Sequence, residues 1–468
     1  MSNIHGLAGL ATFVLLACLS GLSASAQDLG PGRRAASGKT TELRWTLASA
    51  SAPWSARAGH VTAAFDNKLW VLGGATIHDV GIPDFAKDVW CSSDGSNWTE
   101  VTDSVPWGPH VLPAVEAFDG RLWMMGGLLD MHDVWSSPDG VNWTQATPNA
   151  DWSRVLVGDA AVFDNKLWAL GASTGNDAWY SLDGANWTQA IEHASWAARW
   201  SFASATFDGR LWVLGGSFGQ IDVLNDVWYT SDGVNWSQAT SNAPWHPRSQ
   251  HAVVVYDNSL WLLGGYYYIW SGYGHDVHVV GVPLNDVWRS DDGINWTQVT
   301  SSAPWPAGGG QCAVLDQRLW LVHAAPAQDT GANQVWCMSP VPTVTVDTGR
   351  GSWYQVGDPL NLTAATSWFI APPAYQWLKD GSPLPDQTND VYHVDAIELS
   401  DAGSYTCQAT ESAKAAYTAD PIVISVFPEG SLPVSGTTLA VLAGCACLIV
   451  GIYTLFQRRT ARKPPSPC

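Results

Sequence analysis

The chain has 468 residues, a formal net charge of −20 at pH 7 and a sequence pI near 4.7. Its length exceeds what one hydrophobic core usually supports and predicts two or three domains. The acidic balance argues against nucleic acid or an anionic membrane surface as a partner. The cysteines form no evident pairs, which excludes a disulfide scaffold.

Residues 1–26 have the features of a secretory signal. An apolar run extends from Leu7 to Leu22, and the small residues Ala24-Ser25-Ala26 form a cleavage site. The segment before the run carries no Lys or Arg, which is atypical. In an alternative interpretation the Leu-Leu-Ala-Cys sequence is a lipobox, and Cys18 becomes a lipidated N-terminus. Residues 27–43 form a polar, Gly-rich lead-in.

Residues 44–340 contain six copies of one unit. A period of about 40–50 residues, with short apolar runs between turns, is typical of the blades of a β-propeller. An Asp-Gly or Asp-Asn turn joins strands a and b, because these pairs tolerate the positive φ of tight hairpins. Strand b ends in Gly-Gly, and strand c (Asp-Val-Trp) leads through Ser-x-Asp-Gly-x-Asn-Trp into strand d. The landmark tryptophans of strand b are Trp70, Trp123, Trp168, Trp212, Trp261 and Trp320.

Two features of the unit resemble known families. The apolar strand, the Gly pair and the later Trp resemble the kelch repeat, and the turn from Ser92 to Trp98 resembles a shortened sialidase Asp box. The resemblance implies a kelch-like or galactose-oxidase-like six-bladed propeller over residues 44–340. In Asp-box families this turn is structural, not catalytic.

The N-terminal strand is expected to close the ring. The sixth copy stops at Cys337 without an Asn-Trp-Thr-Gln strand, whereas Arg44-Trp45-Thr46 matches Asn295-Trp296-Thr297. We therefore expect strand d of the last blade to come from the N-terminus, which leaves no unpaired inner edge.

One face of the ring is expected to be the working face. The a–b and c–d turns share one face and are short, whereas the b–c and d–a connections share the other and differ in length. The b–c connection of blade 5, from Tyr266 to Asn285, is long and aromatic. The candidate ligand-binding aromatic residues outside the repeat register are Trp200, Tyr266, Tyr267, Tyr268, Trp270 and Tyr273.

The d–a connections bring polar groups to the same face, around the mouth of the channel. In an alternative interpretation, the arginines among them pair with carbonyls or carboxylates at blade junctions. Glu116 and Asp159 replace small residues of the inner strands and are expected to line the channel. The polar candidates for ligand binding are Arg57, His60, His110, Arg199, Arg248 and His251.

The sequence predicts no catalytic residue and no cofactor. A galactose-oxidase-like copper site would need Tyr, His and Cys near the axis, but Cys91 and Cys337 precede c–d turns on the other face. His275 and His278 alternate along the blade 5 connection and are candidate metal ligands. The alternative function is a carbohydrate-active enzyme of the sialic-acid mutarotase or galactose-oxidase-like type, with its site at the channel mouth.

Residues 341–427 lack the repeat and resemble an immunoglobulin-like domain. Trp377 is expected to be the core tryptophan, and Tyr405, two residues before Cys407, fits the tyrosine corner. Ala364 replaces the strand B cysteine, so the resemblance implies a domain without the usual disulfide, like those of bacterial surface modules.

The C-terminal region predicts an anchor. Residues 428–436 form a Pro/Gly/Ser linker, and residues 437–456 form an apolar run long enough to span a bilayer as one helix. The basic tail at 457–468 is expected in the cytoplasm, with the propeller outside. The Leu-Pro-Val-Ser-Gly sequence before the run resembles sortase or exosortase signals, which leaves open whether the anchor is cleaved.

Together these patterns predict an all-β, extracytoplasmic protein held in the membrane or envelope. We expect it to bind a saccharide or a protein at the cell surface through the face that carries the blade 5 connection. This binding is expected to be non-catalytic, and nucleic acid is not an expected ligand.

Overall fold

The computed structural model describes residues 43–77, 83–108, 110, 113–127, 132–152, 157–171, 175–219, 221–271, 278–323, 333–349, 351–370, 372–411 and 416–430. The chain divides into two compact units after Val341. Both are built from β-strands, with one 3-10 turn at Leu399–Asp401 in the described ranges, so the all-β prediction is confirmed. No helix in these ranges is long and apolar enough to cross a membrane, and the segments predicted at 1–26 and 437–456 lie outside them.

The first unit is a ring of sheets. Its described residues form six four-stranded antiparallel sheets, named sheets 1 to 6, one for each copy of the sequence unit. The a strands of successive sheets contact one another, and strand a of sheet 6 contacts strand a of sheet 1. The a strands therefore form a closed inner ring, and strands b, c and d follow outwards.

The strand bounds follow the repeat. The a strands are Val61–Phe65, Ala114–Phe118, Val157–Phe163, Ala203–Phe207, Ala252–Tyr256 and Gln311–Leu315. The b strands are Lys68–Leu72, Arg121–Met125, Lys166–Gly171, Arg210–Phe218, Ser259–Ser271 and Arg318–His323. The c strands are Val89–Ser92, Val134–Ser137, Ala178–Ser181, Asp222–Thr230, His278–Ser290 and Gln334–Pro340. The d strands are Thr99–Thr102, Thr144–Thr147, Trp187–Ile191, Trp236–Thr240, Thr297–Thr300 and Leu43–Ser49. A separate two-stranded sheet, between strands b and c of sheet 1 in the chain, pairs Ala75–Ile77 with Pro83–Phe85.

The N-terminal strand closes the ring, as the sequence predicts. Leu43–Ser49 pairs antiparallel with Gln334–Pro340 and completes sheet 6. Trp45 packs edge-on against Trp305 with ring centroids 5.9 Å apart, and Trp98 packs in the same way against Trp54 at 4.7 Å. The closing strand thus makes the tryptophan pair that the other d strands make.

The a–b turns show the backbone conformation that their sequence predicts. Asp66 and Asn67 have φ values of 50° and 54°, in the left-handed region that Asp and Asn tolerate. Trp70 Nε1 donates to the carbonyl of Phe65 at 2.8 Å, which ties strand b to the end of strand a. The other landmark tryptophans make the equivalent bond.

The c–d turns are closed by an aspartate. In sheet 3, Asp183 Oδ1 accepts from the backbone N–H groups of Ala185 and Asn186 at 2.9 and 2.8 Å. Its Oδ2 accepts from Asn186 Nδ2 at 2.8 Å. These bonds from Asn186 lower the pKa of Asp183 to about 2. The Asp-box-like sequence therefore builds a turn, in keeping with its structural role in other families.

The second unit is a sandwich of two sheets. The first sheet contains Thr343–Asp347, Leu360–Ser367 and Val391–Val394. The second contains Trp353–Gln355, Ile422–Phe427, Gly403–Thr410, Ala374–Lys379, Ser382–Pro383 and Ala416–Thr418.

The core of the second unit matches its sequence pattern. Trp377 and Cys407 are fully buried on paired strands, and the cysteine is a free thiol. Ala364 lies in the same core. The Tyr405 hydroxyl donates to the carbonyl of Asp401 at 2.8 Å, which is the predicted tyrosine corner.

Candidate ligand-binding face

The long connection of sheet 5 is a regular hairpin rather than a loop. Strands Ser259–Ser271 and His278–Ser290 each have 13 residues and remain paired well beyond the Gly pair. Their register continues from Tyr266 opposite Pro283 to Ser271 opposite His278. The predicted b–c connection from Tyr266 to Asn285 is therefore formed, in the described part, by extensions of strands b and c. We call residues 266–271 and 278–283 the sheet 5 hairpin.

The aromatic residues of this hairpin point to two sides, because successive residues of a strand alternate. Tyr266, Tyr268 and Trp270 share one side, and Tyr267 and Ile269 share the other. Trp270 is 57 % exposed and Ile269 is 45 % exposed. The hairpin therefore presents apolar surface on both sides near its tip.

Three tyrosines at the base of the hairpin are partly buried by neighbours. The hydroxyl of Tyr266 lies against Gly308, and a Cβ atom on that glycine would be 2.5 Å from it. Tyr267 packs on His246 with ring centroids 4.1 Å apart. Burial raises the pKa of Tyr268 to about 12 despite hydrogen bonds to Ser249 and Gln250, so this hydroxyl stays protonated.

The predicted arginines are buried and hold carboxylates. Arg248 donates from Nη1 and Nη2 to the two oxygens of Asp286, at 2.6 and 2.8 Å, and from Nη1 to the carbonyl of Gly264. Its side chain is fully buried. Arg57 pairs with Asp88 and Arg199 pairs with Asp226 in the same two-pronged way. His110, at the same position in sheet 2, bonds to Asp133 at 3.0 Å.

Each of these aspartates lies in strand c or directly before it. Asp286 Oδ2 accepts from the indole N–H of Trp288 at 2.7 Å. Burial would raise the pKa of Asp286, but the hydrogen bonds and charge of Arg248 hold it below its usual value. In sheet 6 the arginine position holds Gly308, and Gln334 replaces the aspartate while still accepting from Trp336 at 2.8 Å. Arginine and aspartate are absent together there, as expected for a structural pair.

Two of the predicted histidines, His60 and His251, lie inside the ring. His60 and His251 are fully buried three residues after Arg57 and Arg248. Burial, followed by the charge of the neighbouring arginine, lowers the pKa of each to about 3. Both rings are therefore neutral at physiological pH and are not open to a ligand on this face.

Trp200 remains at the surface. It is 38 % exposed, and its backbone N–H and carbonyl both pair with Ser217 at 2.8 Å. Ser201 and Gln250 have φ values of 48° and 59° at the position where sheet 1 has Gly59. Gln250 N–H donates to the carbonyl of Ser201 at 2.9 Å. We call Trp200, Ser201, Gln250 and Tyr268 the aromatic shelf.

Sequence reasoning identified Trp200 and Tyr268 but missed Ser201 and Gln250. The sequence did contain a signal for these two residues, because aligning the repeat copies places both at the position of Gly59 in sheet 1. A residue with a side chain in the left-handed region costs about 1–3 kcal/mol, and such strain concentrates at functional sites. The register of the d–a connections would therefore have pointed to these two positions.

Other predicted site residues do not join the shelf. Asp159 is buried and accepts from the N–H and hydroxyl of Ser204 at 2.6 and 3.0 Å, a tie between sheets 3 and 4. Glu116 is also buried. Tyr273, His275 and the side chain of His278 lie outside what the structure describes. In the described part of the chain, no group of three or more His, Cys, Asp or Glu residues is placed to hold a metal ion.

Several curated proteins share short stretches with the chain. The decoration protein of Escherichia phage T5 is 29 % identical over 90 residues, which is 19 % of this chain and 55 % of that protein. The advanced glycosylation end product-specific receptor of Mus musculus is 31 % identical over 128 residues, 24 % of this chain and 31 % of the receptor. The chain thus spans about half of the first relative and a third of the second.

The solved structures that the chain resembles include YjhT, at 12 % identity and a TM-score of 0.47 over 62 % of this chain and 95 % of YjhT. The GH32 beta-fructofuranosidase BmSUC1 of Bombyx mori is another, at 9 % identity and a TM-score of 0.31 over 83 % of this chain and 90 % of the enzyme. An immunoglobulin domain family matches residues 334–426. The DUF6242 beta propeller domain family matches residues 39–337, most of the chain, and the protein therefore belongs to this family.

Proposed function

We propose that this protein binds a saccharide or protein ligand at the cell surface, without catalysis, through the face that carries the sheet 5 hairpin. The observation that carries the proposal is the exposure of Ile269 and Trp270 on a hairpin that extends beyond the repeat. Scattered exposed apolar residues need no explanation, but adjacent large ones on a projecting element are typical of contact sites.

The polar groups of the same face favour binding over an enzyme. A mutarotase-like or galactose-oxidase-like site needs His, Arg and carboxylate groups that converge on a substrate. Arg57, Arg199 and Arg248 instead bond to aspartates of their own sheets. The names of the two curated relatives, a decoration protein and a receptor, are compatible with a binding role.

The proposed setting of this activity is the outer surface of a membrane or envelope. In this proposal residues 1–26 direct secretion, residues 437–456 form the anchor, and residues 457–468 lie in the cytoplasm. The six sheets act as the blades of a kelch-like propeller, and the immunoglobulin-like unit serves as a spacer or a second adhesive module.

A binding screen of the full chain in mild detergent tests this proposal. The chain would be applied to arrays of glycans and of extracellular proteins, beside an Ile269→Ser/Trp270→Ser variant. Leu182→Ser is the matched control, because Leu182 is 68 % exposed on a c–d turn of the opposite face. We expect binding to fall in the hairpin variant and to persist in the control. Chemical conversion of a bound glycan, or equal binding by all three proteins, would contradict the proposal.

A further inference from the structure

We infer that the aromatic shelf is a subsite for an uncharged pyranose ring, stacked on the exposed face of Trp200. This inference rests on the proposed function and narrows its ligand to a neutral saccharide. Four observations support it: the exposure of Trp200, the hydrogen-bonded backbone around it, the neutral polar residues of the shelf, and the pairing of the nearby arginines with aspartates.

The indole of Trp200 has no structural counterpart in the repeat. Where the structure describes the equivalent position, it holds a small residue: Ala58 in sheet 1, Ser249 in sheet 5 and Gly309 in sheet 6. Sheets 2 and 3 have Val111 and Leu156 there in the sequence, so no other copy has an aromatic residue at this position. Sheets 1, 5 and 6 therefore form without a large side chain there. An indole that is 38 % exposed beside the innermost strands offers the flat apolar surface on which the C–H face of a pyranose can stack.

Hydrogen bonds hold the backbone around Trp200 in place before any ligand binds. Trp200 is bonded to Ser217 through both its N–H and its carbonyl, and Ser201 is bonded to Gln250 of the next sheet. Ser201, which directly follows Trp200, and its partner Gln250 both have left-handed backbone conformations. A surface that is rigid before binding loses little entropy on binding, which favours recognition of a small ligand.

The polar residues of the shelf are uncharged. Gln250 is buried, and the hydroxyl of Tyr268 is bonded to Ser249 and Gln250. The partly exposed hydroxyl residues Ser201 and Tyr268 suit the hydroxyls of a sugar, which both donate and accept hydrogen bonds.

The cation closest in sequence to Trp200 is not available to bind an acidic ligand. Arg199 directly precedes Trp200, but its side chain is fully buried and both ends of its guanidinium bond to Asp226. Arg248 is held by Asp286 in the same way. Among the described residues of this face, one lysine, Lys87, is exposed. It lines a depression of sheet 1 with Asp84 and Glu100. Sheet 1 is not adjacent to sheet 4 or sheet 5 in the ring.

An acidic sugar would therefore meet an unfavourable environment at the shelf. Removing a carboxylate from water without a partner is costly, and the net charge of −20 repels anions from the surface. A neutral hexose or N-acetylhexosamine avoids both effects. Sialylated and sulfated glycans should bind less well than their uncharged counterparts.

The test uses the full chain in mild detergent and a glycan array that pairs each neutral glycan with its sialylated or sulfated form. Affinities for the best neutral glycan are then measured by calorimetry for the wild type, Trp200→Ala, Trp200→Phe and Trp270→Ala. Trp200 is partly exposed, so thermal melting should show that the Trp200→Ala variant is folded. We expect Trp200→Ala to lose at least tenfold in affinity and Trp200→Phe to lose less than threefold.

The outcomes separate this inference from the proposed function. If Trp270→Ala loses binding while Trp200→Ala does not, the shelf is wrong and the hairpin remains the binding element. A preference for sialylated or sulfated glycans would overturn the neutral subsite. If no glycan binds while a protein ligand does, the saccharide inference falls and the proposed function survives. If neither kind of ligand binds, both fail.

Discussion

Gly95 in the c–d turn of sheet 1 lies directly against the indole of Trp320 in strand b of sheet 6. A Cβ atom on Gly95 would stand 2.0 Å from that ring, and the residue has a φ of +70°. Because this contact joins the first sheet to the last, it stabilises the closed ring. The same contact joins sheets 1 to 5 in succession through Gly140–Trp70, Gly184–Trp123, Gly233–Trp168 and Gly293–Trp212.

Substituting Gly95 by alanine should therefore destabilise the propeller. The backbone strain of alanine in the left-handed region and the overlap with Trp320 together predict a loss of about 2–4 kcal/mol in the free energy of unfolding. Gly120→Ala is the matched control, since Gly120 has a φ of +68° but nothing within 4 Å of its added Cβ. It should lose only about 1 kcal/mol. Urea unfolding measures both, and equal losses would show that the contact with Trp320 is not important.

Removing the guanidinium of Arg248 should also be costly. Arg248→Ala leaves the carboxylate of Asp286 without its buried partner, which predicts a loss of about 3–5 kcal/mol in unfolding free energy. Sheet 6 has Gly308 and Gln334 at these two positions instead. The double variant Arg248→Ala/Asp286→Gln should therefore recover part of that loss in a denaturation experiment. No recovery would mean that Arg248 acts mainly through its other contacts.

The buried histidines predict acid sensitivity. His60 and His251 have folded pKa values of about 3, against 6.5 for an unperturbed histidine. Between these values the unfolded chain binds protons that the folded chain does not. The free energy of unfolding should thus be greatest above pH 6.5 and fall by about 1.4 kcal/mol per pH unit for each histidine below it.

Unfolding measured from pH 7 to pH 4 checks this slope. His251→Phe provides the comparison, because Phe202 occupies the equivalent position of sheet 4. The variant should show a shallower fall in stability over the same range. Parallel curves for the variant and the wild type would contradict the assigned role of His251.

Ring closure makes a prediction for the N-terminal strand. Trp45→Ala removes the edge-on contact with Trp305, and a loss of about 2–4 kcal/mol in unfolding free energy is expected. Trp353→Ala is the control, because Trp353 stacks on Phe427 at the surface of the second unit and is 43 % exposed. Its effect should be small on the propeller transition in calorimetry. An unchanged propeller transition in Trp45→Ala would argue against closure by this strand.

The repeat and its closure could be predicted because the same short motif performs the same local task in each sheet. The turn from Asp66 to Asn67 and the bond from Trp70 to Phe65 each depend on residues a few positions apart. The N-terminal strand was found because the motif missing from the sixth copy occurs around Trp45. The core of the second unit was found in the same way, from the spacing of Tyr405 and Cys407.

The site was harder to predict because its partners are distant in sequence. Arg248 and Asp286 are 38 positions apart, so the sequence allowed both a ligand-binding role and a structural pairing. The run from Tyr266 to Trp270 is apolar without alternation, which concealed the two strands of the hairpin. Ser201 and Gln250 became visible only through their backbone conformation and their contact with each other.

Hydrogen exchange of the full chain, with and without its tightest-binding array ligand, tests the central claim most directly. The account predicts slower exchange of backbone amides in residues 266–271 and 279–282 of the sheet 5 hairpin on binding. Amides of the c–d turns, such as Asn186 and Asn235, should be unchanged. Protection confined to the c–d turns or to the second unit would contradict binding through this face.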